Sequence, residues 1–272
     1  MAFFVRLCDN YGSGISSFQK SFFRNFIALA IAAAVFLKGP RRLTADGGRF
    51  GGKALFALLL RSVSGCIGIF ANFYALSKIP IADAMALNKT APFFTVLVSW
   101  MVLREKTSVR QFVAIAAAFA GVLMVIKPSA SLSADFPALT ALTGGLGAGI
   151  AYTCVRKLGV YKVNSAFIVL FFSAFSCIAS LPFIIGSFKP MTPAETAILL
   201  GAGASAAIGQ FGITMAYSYA PPKQIAVYDY SNIVFTGILG FAFFGQIPDT
   251  LSFLGIATIV SAAIFTHRSR QH

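Results

Sequence analysis

The sequence predicts an all-α polytopic membrane protein built on an internal repeat, and three observations carry that prediction. Hydrophobic residues make up 57% of the 272 and charged residues only 11%, with a mean hydropathy of +0.80, where an ordinary soluble domain carries about 25% charged residues. The apolar runs are about 20 residues long and do not alternate, which is the length of a membrane-crossing helix and twice that of a barrel strand. The chain also repeats itself. Tyr74 to Ile126 returns in diverged form as Met215 to His267, pairing Ala75 with Ala216, Ser77 with Ser218, Pro80 with Pro221, Phe94 with Phe235, Thr95 with Thr236, Phe112 with Phe253, Ile115 with Ile256 and Ala116 with Ala257, at a constant offset of 141.

The spans follow from hydropathy, because helix is the only open-chain way to satisfy a backbone in hydrocarbon. In order they are Ser16 to Leu37, Ala54 to Ser77, Asp83 to Leu103, Val109 to Ile126, Pro137 to Val155, Asn164 to Ser187, Ala194 to Tyr219, Gln224 to Phe244 and Leu251 to Thr266. Pro and Gly punctuate the gaps at Gly39-Pro40, Pro80, Pro128, Pro190, Pro221-Pro222 and Pro248. Further pairs extend the repeat: Leu58-Leu59, Ser64, Ile67-Gly68 and Phe70 match Leu199-Leu200, Ser205, Ile208-Gly209 and Phe211 at the same offset, and Phe22-Phe23 matches Phe171-Phe172 at 149.

Residues 1–128 form the first repeat and 129–272 the second. The second copy holds five helices and the first four, so nine transmembrane helices are visible of an expected ten. The first helix is expected to be missing or truncated, with Met1 to Leu7 as its tail. Five is odd, so the two copies insert with opposite topology, as two inverted five-helix repeats.

Charge fixes the expected orientation. One set of alternate connections carries Lys38, Arg41, Arg42, Arg49 and Lys53, then Arg104, Lys106 and Arg110, then Arg156, Lys157 and Lys162, then Lys223, then Arg268 and Arg270; the intervening set carries only Lys78, Lys127 and Lys189. By the positive-inside bias the C-terminus is cytoplasmic and the protein sits in the inner (plasma) membrane. A net charge of +14 therefore reflects loops rather than a nucleic-acid surface. Cys8, Cys66, Cys154 and Cys177 are scattered without metal or disulfide spacing and read as small hydrophobes. No cleavable signal peptide is expected, since Ile27 to Leu37 runs straight into the basic stop Lys38 to Arg42.

Polar residues inside the spans are the candidate site, because a charge at helix centre costs about 2.5–3.5 kcal/mol on insertion scales. Asn88, Pro92, Thr95 and Ser99 fall at helical spacing on one stripe, repeated as Asp229, Asn232, Thr236 and Gly240. Arg61, Gly65, Gly68 and Asn72 align on another, as do Gly203, Ala207, Gln210, Thr214 and Tyr217. The expected cavity is lined by Arg24, Asn72, Asn88, Lys89, Gln210, Tyr228, Asp229 and Asn232, with Arg61, Tyr217 and Tyr230 as gating or snorkelling candidates. Counting from the helix ends puts Arg24, Asn72, Asn88 and Lys89 in the outer half, and Arg61, Gln210, Tyr228, Asp229 and Tyr230 in the inner half. A cationic outer rim favours a solute bearing a carboxylate or phosphate, and Asp229, the lone carboxylate at depth, is the candidate for proton coupling. Helix packing is the competing reading for Gly65, Gly68, Gly203, Gly240, Thr95, Ser99 and the run Gly145 to Gly149, and snorkelling to the headgroups is the competing reading for Arg61 and Arg24.

Several of these residues also carry a resemblance. Tyr74 to Pro80, Leu87 to Phe93, Leu103 to Lys106, Gly121-Val122 and Ile126 to Pro128, echoed by Ala216-Tyr217, Ala220-Pro221, Phe244 to Gln246 and Gly255, resemble the drug/metabolite transporter superfamily and its EamA-type members. The resemblance implies ten helices in two inverted five-helix repeats around a cavity that opens alternately to each side. It departs from that pattern at the absent first helix, at Gln246 where a Glu is usual, and at Ile233, which stands where the first copy has Pro92.

The function expected is secondary transport of a small polar metabolite, amino acid-like or otherwise carboxylate-bearing, by alternating access and in the export direction. A nucleotide-like or vitamin-like solute is the alternative within transport, and a non-transporting membrane remnant or partner protein is the alternative outside it. An enzyme is not expected: HExxH, GxSxG and P-loop patterns are missing, both histidines lie in the tail, and Gly201 to Ala206 mimics a dinucleotide turn only inside an apolar span. A lipid-modifying enzyme would need an interfacial His, Asp or Ser cluster. The expected partners are the bilayer and a small solute, with no cofactor, metal or nucleic acid.

Overall fold

The structure is a computed structural model that describes residues 15–39, 42–44, 50–76, 78–79, 81–105, 107–128, 136–186, 188–245 and 247–268. Met1 to Leu7, Cys8, Pro80, Lys106 and Gln246 lie outside the described residues. Within them the regular elements are helices: α1 Ser17–Lys38, α2 Gly52–Leu76, α3 Ile81–Asn88, α4 Ala91–Leu103, α5 Val109–Ile126, α6 Phe136–Val160, α7 Ser165–Ile185, α8 Pro193–Tyr219, α9 Pro222–Asp229, α10 Ser231–Phe244 and α11 Thr250–Arg268. Nine stretches among them are long and apolar enough to cross a membrane, with α3–α4 and α9–α10 each counting as one.

Helix starts are written in local chemistry. The Ser16 hydroxyl accepts from the Gln19 N–H at the head of α1, and Asn164 does the same for Ala166 at the head of α7. Ser108 and Gln111 exchange side-chain and backbone hydrogen bonds before α5, as Thr192 and Glu195 do before α8. Each satisfies N–H groups that a helix start leaves without an internal partner. Residues 156 and 157, assigned above to a connection, belong to α6, which runs on to Val160.

Two of the predicted helices are not continuous. The span expected at Asp83 to Leu103 is interrupted at Lys89 and Thr90, and the one at Gln224 to Phe244 at Tyr230. Lys89 and Tyr230 are 141 residues apart, so both copies interrupt their charge-bearing helix at the same repeat position. Proline supplies the reason in the first copy. Pro92 has no N–H to give the Asn88 carbonyl four residues back or the Lys89 carbonyl three back, and Phe93 gives its N–H to Thr90 at 3.0 Å, where Phe94 also donates at 3.2 Å, so neither reaches Lys89. The second copy has Ile233 at the matching position, and its N–H donates to the Tyr230 carbonyl at 3.0 Å.

The chain divides into two compact units, Met1–Ser62 with Cys154–Tyr219 and Val63–Thr153 with Ala220–His272. In the first, repeat counterparts α1 and α7 pack side by side. Phe18 stacks on Phe183 at 4.9 Å between ring centroids, and Phe36 meets Phe167 at 5.7 Å, so the start of each helix lies against the end of the other. In the second unit the counterparts α5 and α11 do the same. Lys127, just past the end of α5, pairs with Asp249, just before α11, and a Cβ added at Gly121 would stand 2.6 Å from the Gly255 carbonyl oxygen. Counterpart helices running antiparallel in both units are what inverted repeats require.

Candidate functional site

The second unit gathers most of the predicted site around the two interruptions. The Tyr230 hydroxyl donates to the Lys89 carbonyl at 3.1 Å. Tyr230 is fully buried among Val96, Ile115, Ala118, Val122 and Val227, with the Phe119 ring 6.3 Å away. The Asp229 carboxylate is near enough to Lys89 for the two charges to interact. Tyr228 reaches toward the Ala263 carbonyl at 3.5 Å, the edge of hydrogen-bonding range.

Glycines on α6 let that helix press onto this region. A Cβ added at Gly144 would meet the Asn88 amide nitrogen at 3.3 Å and the Asn72 backbone nitrogen at 3.5 Å, so Asn72 and Asn88 come to the same point of α6. The Asn72 side-chain oxygen is buried there without a hydrogen-bond partner. At Gly145 a Cβ would stand 2.6 Å from the Thr90 hydroxyl, and at Gly149 2.6 Å from the Phe94 Cβ. The run Gly145 to Gly149 and Gly68 therefore serve close helix approach, as the packing reading has it.

Lys89, counted to the outer half, and Tyr230, counted to the inner half, meet in one hydrogen bond. The stripe Asn88, Pro92, Thr95 and Ser99 is not a continuous helical face, because the helix is interrupted within it. Thr95 is fully buried with its hydroxyl on the Ala91 carbonyl at 2.8 Å, and Ser99 donates to Glu105 at 2.9 Å, so both are committed to the protein's own packing. Asn232 is exposed, whereas the adjacent Ile233 is buried.

The first unit holds Arg24, Arg61, Gln210 and Tyr217. Arg61 is 2% exposed and its guanidinium carbon lies 3.4 Å from the centre of the Phe172 ring. A buried, ring-stacked guanidinium does not snorkel, and that reading of Arg61 falls. Phe172 is the residue the sequence reading missed as a site member; its match with Phe23 in the repeat marked the position without marking its partner. Tyr217 is fully buried, Gln210 donates to the Thr214 hydroxyl at 3.4 Å, and Arg24 is half-buried with Asn25 at 3.5 Å. Cys66, Cys154 and Cys177 are buried, as expected of small hydrophobes. No group of three or more His, Cys, Asp or Glu side chains among the described residues could hold a metal.

The model of the EamA-like transporter family matches residues 1–127 and again residues 135–268. The chain is 31% identical to the pseudopaline exporter of Pseudomonas aeruginosa over 215 residues, covering 79% of this chain and 75% of that one. It is 29% identical to a riboflavin transporter of Rhizobium johnstonii over 214 residues, 78% of this chain and 70% of that one, and 26% identical to an S-adenosylmethionine uptake transporter of Rickettsia felis over 259 residues, 93% and 84%. A solved crystal structure matches 96% of this chain and 90% of its own with a TM-score of 0.80 at 17% identity, a likeness of fold. With the family matched over both halves and a relative above 30% identity, the chain belongs to the EamA-like transporter family and is a multi-pass membrane transporter.

Proposed function

We propose that the protein is a secondary carrier that exports a small polar metabolite bearing a carboxylate or phosphate, and that Lys89 is the group that recognises the anion. One observation carries this reading: a lysine and an aspartate, Lys89 and Asp229, lie within electrostatic reach of each other at two helix interruptions inside membrane spans. Ionisable groups at that depth are costly to retain for packing alone. Interrupted helices at matching positions of inverted repeats are the usual setting of a transporter's binding groups, since they free backbone donors and acceptors at the midplane. Asp229 is the group through which protons couple to transport. The solute crosses unchanged, with the protein in the inner membrane and its C-terminus in the cytoplasm.

The relatives are named for carrying pseudopaline, riboflavin and S-adenosylmethionine, three different small solutes, so they support a small-metabolite carrier without choosing its substrate. The riboflavin relative favours a vitamin-like solute as the second reading. A thermal-shift screen of the detergent-solubilised protein tests both, because binding to the folded state raises its midpoint. A rise from carboxylates or phosphates that disappears in Lys89→Ala supports the first reading. A rise from flavins that survives Lys89→Ala replaces it with the second, and no rise from any panel removes both.

A further inference from the structure

Building on the transport reading, we infer that Tyr230 is a positioning residue for Lys89: its hydroxyl supplies, from the opposite repeat, the donor that Pro92 removes from its own. In the second copy the carbonyl of residue 230 is satisfied locally, by the N–H of Ile233 three residues on at 3.0 Å. The equivalent bond in the first copy would run from residue 92 to the Lys89 carbonyl. Residue 92 is proline, which has no hydrogen to donate. Phe93, the next donor along, gives its N–H to Thr90 instead. A carbonyl left in that state inside a membrane span must find a partner, and the Tyr230 hydroxyl fills the vacancy at 3.1 Å.

The burial of Tyr230 fits this role. It is fully buried in a cluster drawn from α4, α5, α9, α10 and α11, and an aromatic hydroxyl in such surroundings needs an acceptor. The bond fixes the backbone from which the Lys89 side chain departs. It also ties the interruption between α3 and α4 to the one between α9 and α10 at a single point, so neither interruption opens without releasing the other. The difference between Ile233 and Pro92 is thus matched by a difference in bonding: the carbonyl of residue 230 is satisfied by its own backbone, and that of Lys89 by a side chain of the other repeat.

Amide hydrogen exchange on the full chain in detergent, followed by mass spectrometry, tests this without any ligand and so stands or falls apart from the choice of substrate. Tyr230→Phe keeps the ring and removes the donor. Exchange in the peptide covering residues 86–97 is expected to quicken at least several-fold, with the helix at 109–126 unchanged. Pro92→Ala restores an N–H at the position Ile233 occupies in the second copy, so Tyr230→Phe in that background should quicken exchange far less. Unchanged exchange at 86–97 in Tyr230→Phe overturns the inference. An equal increase in both backgrounds also overturns it, since it would show that Tyr230 acts by packing rather than by replacing a missing donor.

Discussion

Tyr230 donates a hydrogen bond to the carbonyl of Lys89, its own counterpart in the repeat. In an inverted repeat, only residues beside the relating two-fold axis can touch their counterparts. This contact therefore marks the axis within its unit. The antiparallel contact of α5 with α11 belongs to the same relation. The charged residues at that point, Lys89 and Asp229, sit where a change in the relation between repeats is felt first.

Removing one partner of that charge pair should cost more than removing both. A charge left without its opposite inside a membrane span is costly, while replacing both partners is often close to neutral. Lys89→Met is expected to lower the thermal midpoint markedly and Lys89→Met with Asp229→Asn to restore most of it. Additive losses in the double variant would mean that the two side chains act independently. Under the coupling proposal, Asp229→Asn should also abolish the pH dependence of gradient-driven uptake into vesicles.

Arg61 on Phe172 is a second arrangement that one substitution can probe. The stacked guanidinium is held by its planar face as well as its charge, and a desolvated contact of this kind is worth about 2 kcal/mol. Lysine keeps the charge and loses the plane. Arg61→Lys and Phe172→Leu should each lower the thermal midpoint, and the double variant should lose less than the sum. Full recovery of wild-type stability by Arg61→Lys would remove the stacking from the account.

Much of the fold was legible because membrane insertion writes itself in long apolar runs, and the 141-residue offset turned helix counting into topology. The interruptions were not legible as interruptions. Hydropathy sees Ala84 to Leu103 as one span, and a proline in the middle of a membrane helix is tolerated often enough that Pro92 alone does not say the helix stops. The meeting of Lys89 with Tyr230 was hidden for a related reason. Depth counted along each helix says nothing about how far a tyrosine reaches, and the axis brings counterparts together across 141 residues. Arg61 went astray through the length of its side chain, which allows either snorkelling or stacking, and only the position of Phe172 decides.

Glycines at tight and open positions should respond to alanine with opposite signs. A Cβ at Gly159 would stand 2.1 Å from the Ser218 carbonyl oxygen, a backbone atom that cannot swing away. Gly209, on α8, has nothing within 4 Å of its added Cβ. Gly159→Ala is expected to destabilise by about 1–3 kcal/mol through forced backbone movement. Gly209→Ala should stabilise by about 0.4–1 kcal/mol, through lower entropy of the unfolded chain. Thermal midpoints of the two variants beside wild type check both signs, and a neutral Gly159→Ala would contradict the close approach of α6 to Ser218.

The pair at the ends of α5 and α11 should make stability depend on acid pH. Hydrogen bonds from Lys127 and from Ser252 hold the Asp249 carboxyl down at about 2, from an ordinary 3.8. A carboxyl whose folded value is depressed binds protons more readily in the unfolded chain. Its contribution is therefore complete above the ordinary value and drains away as pH falls toward the folded one. Both side chains are largely exposed, so the effect is small and weakens with salt. The difference in thermal midpoint between wild type and Asp249→Asn should stay constant from neutral pH down to about 4 and then shrink toward pH 2. A difference that persisted unchanged at pH 2, or that varied between pH 6 and 8, would show that the Lys127 contact does not hold this carboxylate in its charged form.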